Sequence, residues 1–199
     1  KQIIHRDVKP ENFLILTSGY IKLCDFGIAQ ALDADGYCTR GSGTLPYMAP
    51  EMLAKGHRHA APADWFALGV TLHELLAAKR PYANKGLYTS DTRSSRTSNH
   101  KPIGSDHAHN KPKIYLAVGS AGVSKVCKAF VVGMLERKHA KRLGGISDAN
   151  VLGHDFFSAY DDTAKREMFA MTHAAAFIPV CENGKVNCSA TDTYMNEQV

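Results

Sequence analysis

Apolar positions along the 199-residue chain fall into a few distinct patterns, and each predicts a different element. Apolar residues at alternate positions flank Gly19-Tyr20, with Leu14 and Leu16 before and Ile21 and Leu23 after, which predicts a β-hairpin. Residues 64–78, DWFALGVTLHELLAA, are apolar almost all round, and Asp64 suits an N-cap. Such a helix belongs inside a core, and with His73 and Glu74 it is too short and too polar to span a bilayer. Residues 124–135 carry Val126, Ala129, Phe130, Gly133 and Met134 at helical spacing, a one-faced helix. Residues 84–113 have almost no apolar periodicity and are dominated by Ser, Thr, Asn, His and Lys, which predicts a disordered insertion. One small β-hairpin followed by helices makes a mainly helical α+β chain.

The hairpin matters for what stands at its ends. Asp7 precedes its first strand, Asp25 follows its second, and Asn12 lies between. Returning strands bring their ends together, so these three can converge. In-line phosphoryl transfer needs such a set: one carboxylate for the proton of the attacking hydroxyl, and a carboxylate with an amide oxygen for Mg²⁺.

Composition adds limits. The chain is 44% hydrophobic, enough for one well-cored domain. Its net charge of +5 is local. Between Lys79 and Lys113, eight basic residues (Lys79, Arg80, Lys85, Arg93, Arg96, Lys101, Lys111, Lys113) face only Asp91 and Asp106. The remainder is near neutral, so nucleic-acid binding is not expected. Five cysteines, odd in number and without a CxxC pair, point to a reducing, cytoplasmic setting. His100, His107 and His109 lack the Cys or acidic partners of a metal site, so a solvated loop is expected there.

The run His5-Arg6-Asp7 with Asn12 five residues after the aspartate, followed by Asp25-Phe26-Gly27, resembles the HRDxxxxN and DFG motifs of eukaryotic protein kinases. The resemblance covers roughly residues 1–157 and implies a protein-kinase-like fold, specifically its mainly helical C-terminal lobe. It implies Asp7 as catalytic base and Lys9 beside the transferred phosphate, a lysine typical of serine/threonine kinases. Asn12 and Asp25 would hold Mg²⁺ with ATP, Leu14 would lie under the adenine, and His5 and Phe26 would pack beneath the site. Ala49-Pro50-Glu51 matches the end of an activation segment. Thr44 falls where kinases keep a threonine near the catalytic aspartate and lysine, and Glu51 would pair with Arg142. Asp64 then has a second reading, as anchor of the catalytic-loop backbone.

Thr39, Ser42 and Thr44 are candidate activating phosphosites, with Arg6 as the receiving cation. Arg40 stands where a phosphothreonine is common, so activity without phosphorylation is equally consistent. The combination KRLGG…HDFF is similar to the AGC group, and 158–199 would be a C-terminal extension, AGC-like in its tail or simply frayed. Glu11 and Glu74 match acids that bind substrate arginines in basophilic members; Pro46 stands where a third acid is often found.

The chain lacks a GxGxxG loop, a VAIK lysine and its partner glutamate, and begins at Lys1 shortly before the catalytic loop. The expectation is a serine/threonine kinase truncated at its start, with protein substrates, a small lobe expected upstream and little activity alone. A non-catalytic kinase-like binding module is the alternative.

Overall fold

The computed structural model describes residues 2–53, 56, 58–81, 114–117 and 122–175, and the backbone of two short strands at 181–182 and 185–186. The insertion expected at 84–113, its histidines, and nearly all of the tail after 175 lie outside the described residues. In chain order the elements are β1 (Ile3–Ile4), β2 (Phe13–Ile15), β3 (Ile21–Leu23), β4 (Gln30–Ala31), α1 (Pro50–Leu53), α2 (Pro62–Ala77), α3 (Lys125–Met134), α4 (Ala149–Leu152), α5 (Asp162–Phe169), β5 (Cys181–Glu182) and β6 (Lys185–Val186). The chain divides into two compact units, Lys1–Pro10 with Asp25–Ser158, and Glu11–Cys24 with Ala159–Val199.

The first unit is built on α2 and α3. Helix α2 starts at Pro62, whose missing N–H costs nothing in a first turn. Asp64 therefore lies inside the first turn and is not the N-cap; that position is Ala61, which makes no side-chain cap. The helix buries Phe66, Ala67, Gly69, Val70, Thr71 and His73, but the all-round apolar pattern is only partly covered: Leu68 and Leu72 are half-buried, and Leu75 and Leu76 in the last turn are exposed. At Gly69 a Cβ would stand 2.7 Å from the Met134 Cβ, so this glycine sets how closely α2 and α3 approach.

Helix α3 is capped by Ser124, whose hydroxyl accepts the Cys127 N–H at 3.0 Å. Its buried stripe is Phe130, Val131 and Met134, while Val126 is exposed. The expected face was thus turned: Val126 and Val131 stand about 140° apart around the helix. Phe130, Met134 and Val151 form a cluster joined by Trp65, Leu68, Leu72, Leu143 and Phe157. Phe130 stacks on Phe156 at 4.6 Å and meets Phe157 edge-on at 5.4 Å. Truncating such a buried ring costs about 3–5 kcal/mol. Also in this unit, β1 pairs antiparallel with β4, Ile3 opposite Ala31 and Ile4 opposite Gln30.

In the second unit β2 and β3 form the expected antiparallel hairpin. Phe13 faces Leu23 and Ile15 faces Ile21, whereas Leu14 is opposite Lys22. Leu14 therefore lies on the other face from Ile21 and Leu23, and Leu16 is outside the strand. The continuous apolar run 13–16 cannot fix which alternate set is which. The Cys24 N–H donates to the Asn12 carbonyl at 2.9 Å and closes the hairpin's base. Helix α5, which apolar spacing did not predict, is capped by Asp161 accepting from Ala164 N–H at 2.7 Å. The Tyr20 hydroxyl donates to the His173 carbonyl just beyond this helix.

Candidate active site

The first unit gathers the catalytic-loop residues around Asp64. Its carboxylate accepts the His5 N–H at 2.7 Å and the Arg6 N–H at 2.8 Å. Arg6 has φ 70°, a left-handed conformation costing about 1–2 kcal/mol for an ordinary residue. Two charge-assisted bonds on adjacent N–H groups offset that cost. Burial raises the Asp64 pKa, opposed by these two N–H donors and by nearby His5 and His59. His5 accepts the Asp7 N–H on Nδ1 at 3.3 Å and meets the Phe26 ring edge-on at 4.8 Å.

Asp7 sits in a close polar network. Its Oδ1 accepts from the Thr44 hydroxyl at 2.6 Å and from the Thr44 N–H at 3.0 Å. Its Oδ2 lies 2.8 Å from Lys9 Nζ, and the same ammonium donates to Thr44 Oγ1 at 2.8 Å. A carboxylate, a cation and a hydroxyl thus fix one another. Gly43 brings Thr44 this close: its φ is 134°, and a Cβ there would stand 2.5 Å from the Arg6 carbonyl oxygen. Only glycine satisfies both the conformation and the approach.

Arg6 is buried, and its guanidinium is engaged with backbone. Nε donates to the Ile28 carbonyl at 2.7 Å and Nη1 to the Arg40 carbonyl at 2.9 Å; Nη2 also reaches Ile28 O, and Cys38 Sγ lies 3.7 Å from Nη1. The cation expected to receive an activating phosphate is thus held by two carbonyls of the segment it would organise, one at its start and one in its middle. Thr39 is exposed and Ser42 half-buried, whereas the Thr44 hydroxyl belongs to the Asp7 network.

Glu51 and Arg142 meet at two points, Nη1 to Oε1 at 2.7 Å and Nη2 to Oε2 at 2.9 Å. Arg142 further donates to the carbonyls of Glu136, Pro62 and Arg137, and lies over the Phe66 ring at 4.9 Å. Five donations from a fully buried side chain tie α1 and the start of α2 to the turn after α3.

The remaining residues belong to both units. Asp25 has φ 60° and an exposed carboxylate, one oxygen of which accepts the Gly27 N–H at 3.2 Å. Asn12 is buried, while Leu14 and Glu11 are exposed; all three belong to the second unit. Glu74 is in the first unit, where Oε2 accepts the Tyr47 hydroxyl at 2.6 Å. Its Oε1 lies 3.5 Å from Arg80 Nε.

Among the described residues no three His, Cys, Asp or Glu side chains gather as a metal cage. An exposed hard carboxylate such as Asp25 suits Mg²⁺, which is commonly held by one or two protein carboxylates with water and phosphate oxygens. Sequence reasoning missed Gly43, Tyr47 and Arg80. The glycine before Thr44 was the one available signal; the Tyr47 and Arg80 contacts come from pairings 27 and six residues apart, which no local pattern encodes.

The sequence matches the protein kinase domain family over residues 1–157. It is 34% identical over 158 residues to developmentally-regulated protein kinase 1 of Dictyostelium discoideum, covering 79% of this chain and 20% of that protein. It is 32% identical over 168 residues to serine/threonine-protein kinase SCH9 of Candida albicans, covering 80% and 18% respectively. Rhodopsin kinase GRK1 of Rattus norvegicus is 32% identical over 186 residues, 90% of this chain and 29% of that protein. The chain belongs to the protein kinase family. It spans about a fifth of the length of the first two relatives.

Proposed function

We propose that this chain is the C-terminal lobe of a protein serine/threonine kinase, AGC-like in type, that transfers the γ-phosphoryl group of Mg·ATP to Ser or Thr hydroxyls of protein substrates. The observation that carries this reading is the Asp7–Lys9–Thr44 network anchored on Asp64. Asp7 takes the proton of the acceptor hydroxyl, oriented by the two Thr44 donors. Lys9 lies beside the same carboxylate, placed to offset negative charge on the transferring group. Asn12 and Asp25 would each serve as a protein ligand to Mg²⁺, which would supply charge neutralisation for the phosphates. Leu14 would pack under the adenine, and Glu11 and Glu74 would favour arginine upstream of the acceptor.

Residues 1–157 form the lobe and 158–199 an extension. The nucleotide lid and its lysine are not among this chain's motifs, so efficient transfer needs a second, nucleotide-binding lobe. The exposure of Ile3, Leu14, Ile15 and Phe26, each more than half open to solvent, supports a missing apolar cover. The test is transfer of labelled γ-phosphate from ATP to degenerate peptide libraries by the intact protein. Phosphoserine and phosphothreonine products are expected. Phosphotyrosine, or no product with magnesium present, would overturn the reading.

A further inference from the structure

We propose that Arg80 occupies the arginine subsite of its own enzyme and weakens substrate selection for arginine there. This rests on the reading of Glu74 as a substrate-binding acid. Tyr47, itself buried, donates to Glu74 Oε2 and fixes the carboxylate's direction. The other oxygen faces Arg80 Nε at 3.5 Å, on the segment just past the end of α2. A guanidinium already stands where a substrate guanidinium would have to pair.

The contact is a weak one, so it tunes the subsite without closing it. Arg80 Nε stands 3.5 Å from the carboxylate, whereas the two-point Glu51–Arg142 pair closes to 2.7 and 2.9 Å. The Arg80 and Glu74 side chains are 38% and 29% exposed, so solvent screens the pair. A substrate arginine offering a two-point fork makes the better bond and displaces Arg80, at the cost of the existing pair and of repulsion between two guanidinium groups. Glu74 therefore grants less preference for arginine than an acid facing only solvent. The same device accepts substrates without arginine there, because Arg80 supplies the missing charge and leaves no bare carboxylate under the peptide.

The test uses peptides identical except for one arginine walked through the upstream positions, with alanine in place of the acceptor. Binding to the intact protein is followed by fluorescence anisotropy without nucleotide, so the outcome does not depend on catalysis. R80A and R80M, checked by thermal melting for an unchanged fold, are expected to raise the arginine-over-alanine preference at one register by about three-fold or more. In an E74Q background the preference falls and R80A becomes silent. An R80A preference equal to wild type, with E74Q still lowering it, would overturn the role of Arg80. A preference surviving E74Q would overturn the Glu74 subsite and this inference with it. Absence of phosphoryl transfer to the serine-containing peptides is a separate result and counts against the kinase reading.

Discussion

Replacing Arg142 by methionine removes the cation that holds Glu51 while keeping most of the apolar stem. The side chain of Arg142 is fully buried and that of Glu51 only 14% exposed, so the stranded carboxylate has little water to turn to. The substitution also removes the guanidinium from the Glu136, Pro62 and Arg137 carbonyls. Breaking a buried, hydrogen-bonded ion pair from one side costs about 3–5 kcal/mol. For a domain of this size each kcal/mol lowers Tm by about 2–4 °C, so R142M should melt roughly 6–20 °C lower. The decisive comparison is the double variant R142M/E51M, which leaves no bare charge. It should be more stable than the sum of the single losses by at least about 1–3 kcal/mol, as a coupled buried pair requires. Denaturant melts of the four proteins give the cycle. An R142M loss below about 1 kcal/mol, or strictly additive variants, would refute the reasoning.

Three further outcomes are expected. T44V keeps the backbone N–H on Asp7 but loses the hydroxyl shared with Lys9, and should lower kcat roughly ten- to a hundred-fold with little change in the KM for ATP; an unchanged kcat contradicts it. Because the Arg6 guanidinium is held by the Ile28 and Arg40 carbonyls, phosphatase-treated T39A/S42A should keep activity within about two-fold of untreated wild type, and a ten-fold loss would restore phosphorylation as the organiser. His73 is buried, with one ring nitrogen 2.7 Å from the Lys79 carbonyl and the other accepting the Tyr115 N–H at 3.0 Å; burial lowers its pKa, against smaller raising effects of the Lys79 carbonyl and Glu74. The folded imidazole stays neutral where the unfolded one, with a pKa near 6.5, is already charging, so unfolding takes up a proton and stability falls as pH drops below about 6.5. Denaturant midpoints between pH 7.5 and 5.5 should show this slope, and H73N should flatten it.

The fixed-spacing motifs were the legible part. Asp7, Lys9 and Thr44, Glu51 with Arg142, and His5 with Phe26 form contacts that the resemblance placed together, because such motifs record tertiary neighbours directly. Periodicity did less well wherever it had to choose between faces. The apolar run 13–16 gave Leu14 the wrong partners, and α3 buries Val131 in place of Val126. Asp64 carried two readings, and Pro62 settles the local one: a helix that begins two residues earlier leaves the aspartate free of capping and able to bind the loop backbone. Arg6 is the instructive case. The resemblance implies a phosphate receptor there; the two carbonyls that hold its guanidinium depend on the path of residues 28–40, which no local pattern sets. Helix α5 escaped notice because its polar sequence, DTAKREMF, buries no side chain.

The measurement closest to the central claim compares wild type with D7N in the intact protein, following both labelled phosphoryl transfer and the thermal shift produced by Mg·ATP. With Asp7 as the base, D7N should lose transfer by about 10²–10⁴-fold and keep the nucleotide-induced shift, since nucleotide binding does not call on its proton transfer. Transfer by D7N at the wild-type rate would contradict the role given to the Asp7–Lys9–Thr44 network. A wild type that is stabilised by Mg·ATP yet transfers nothing would contradict the enzyme itself.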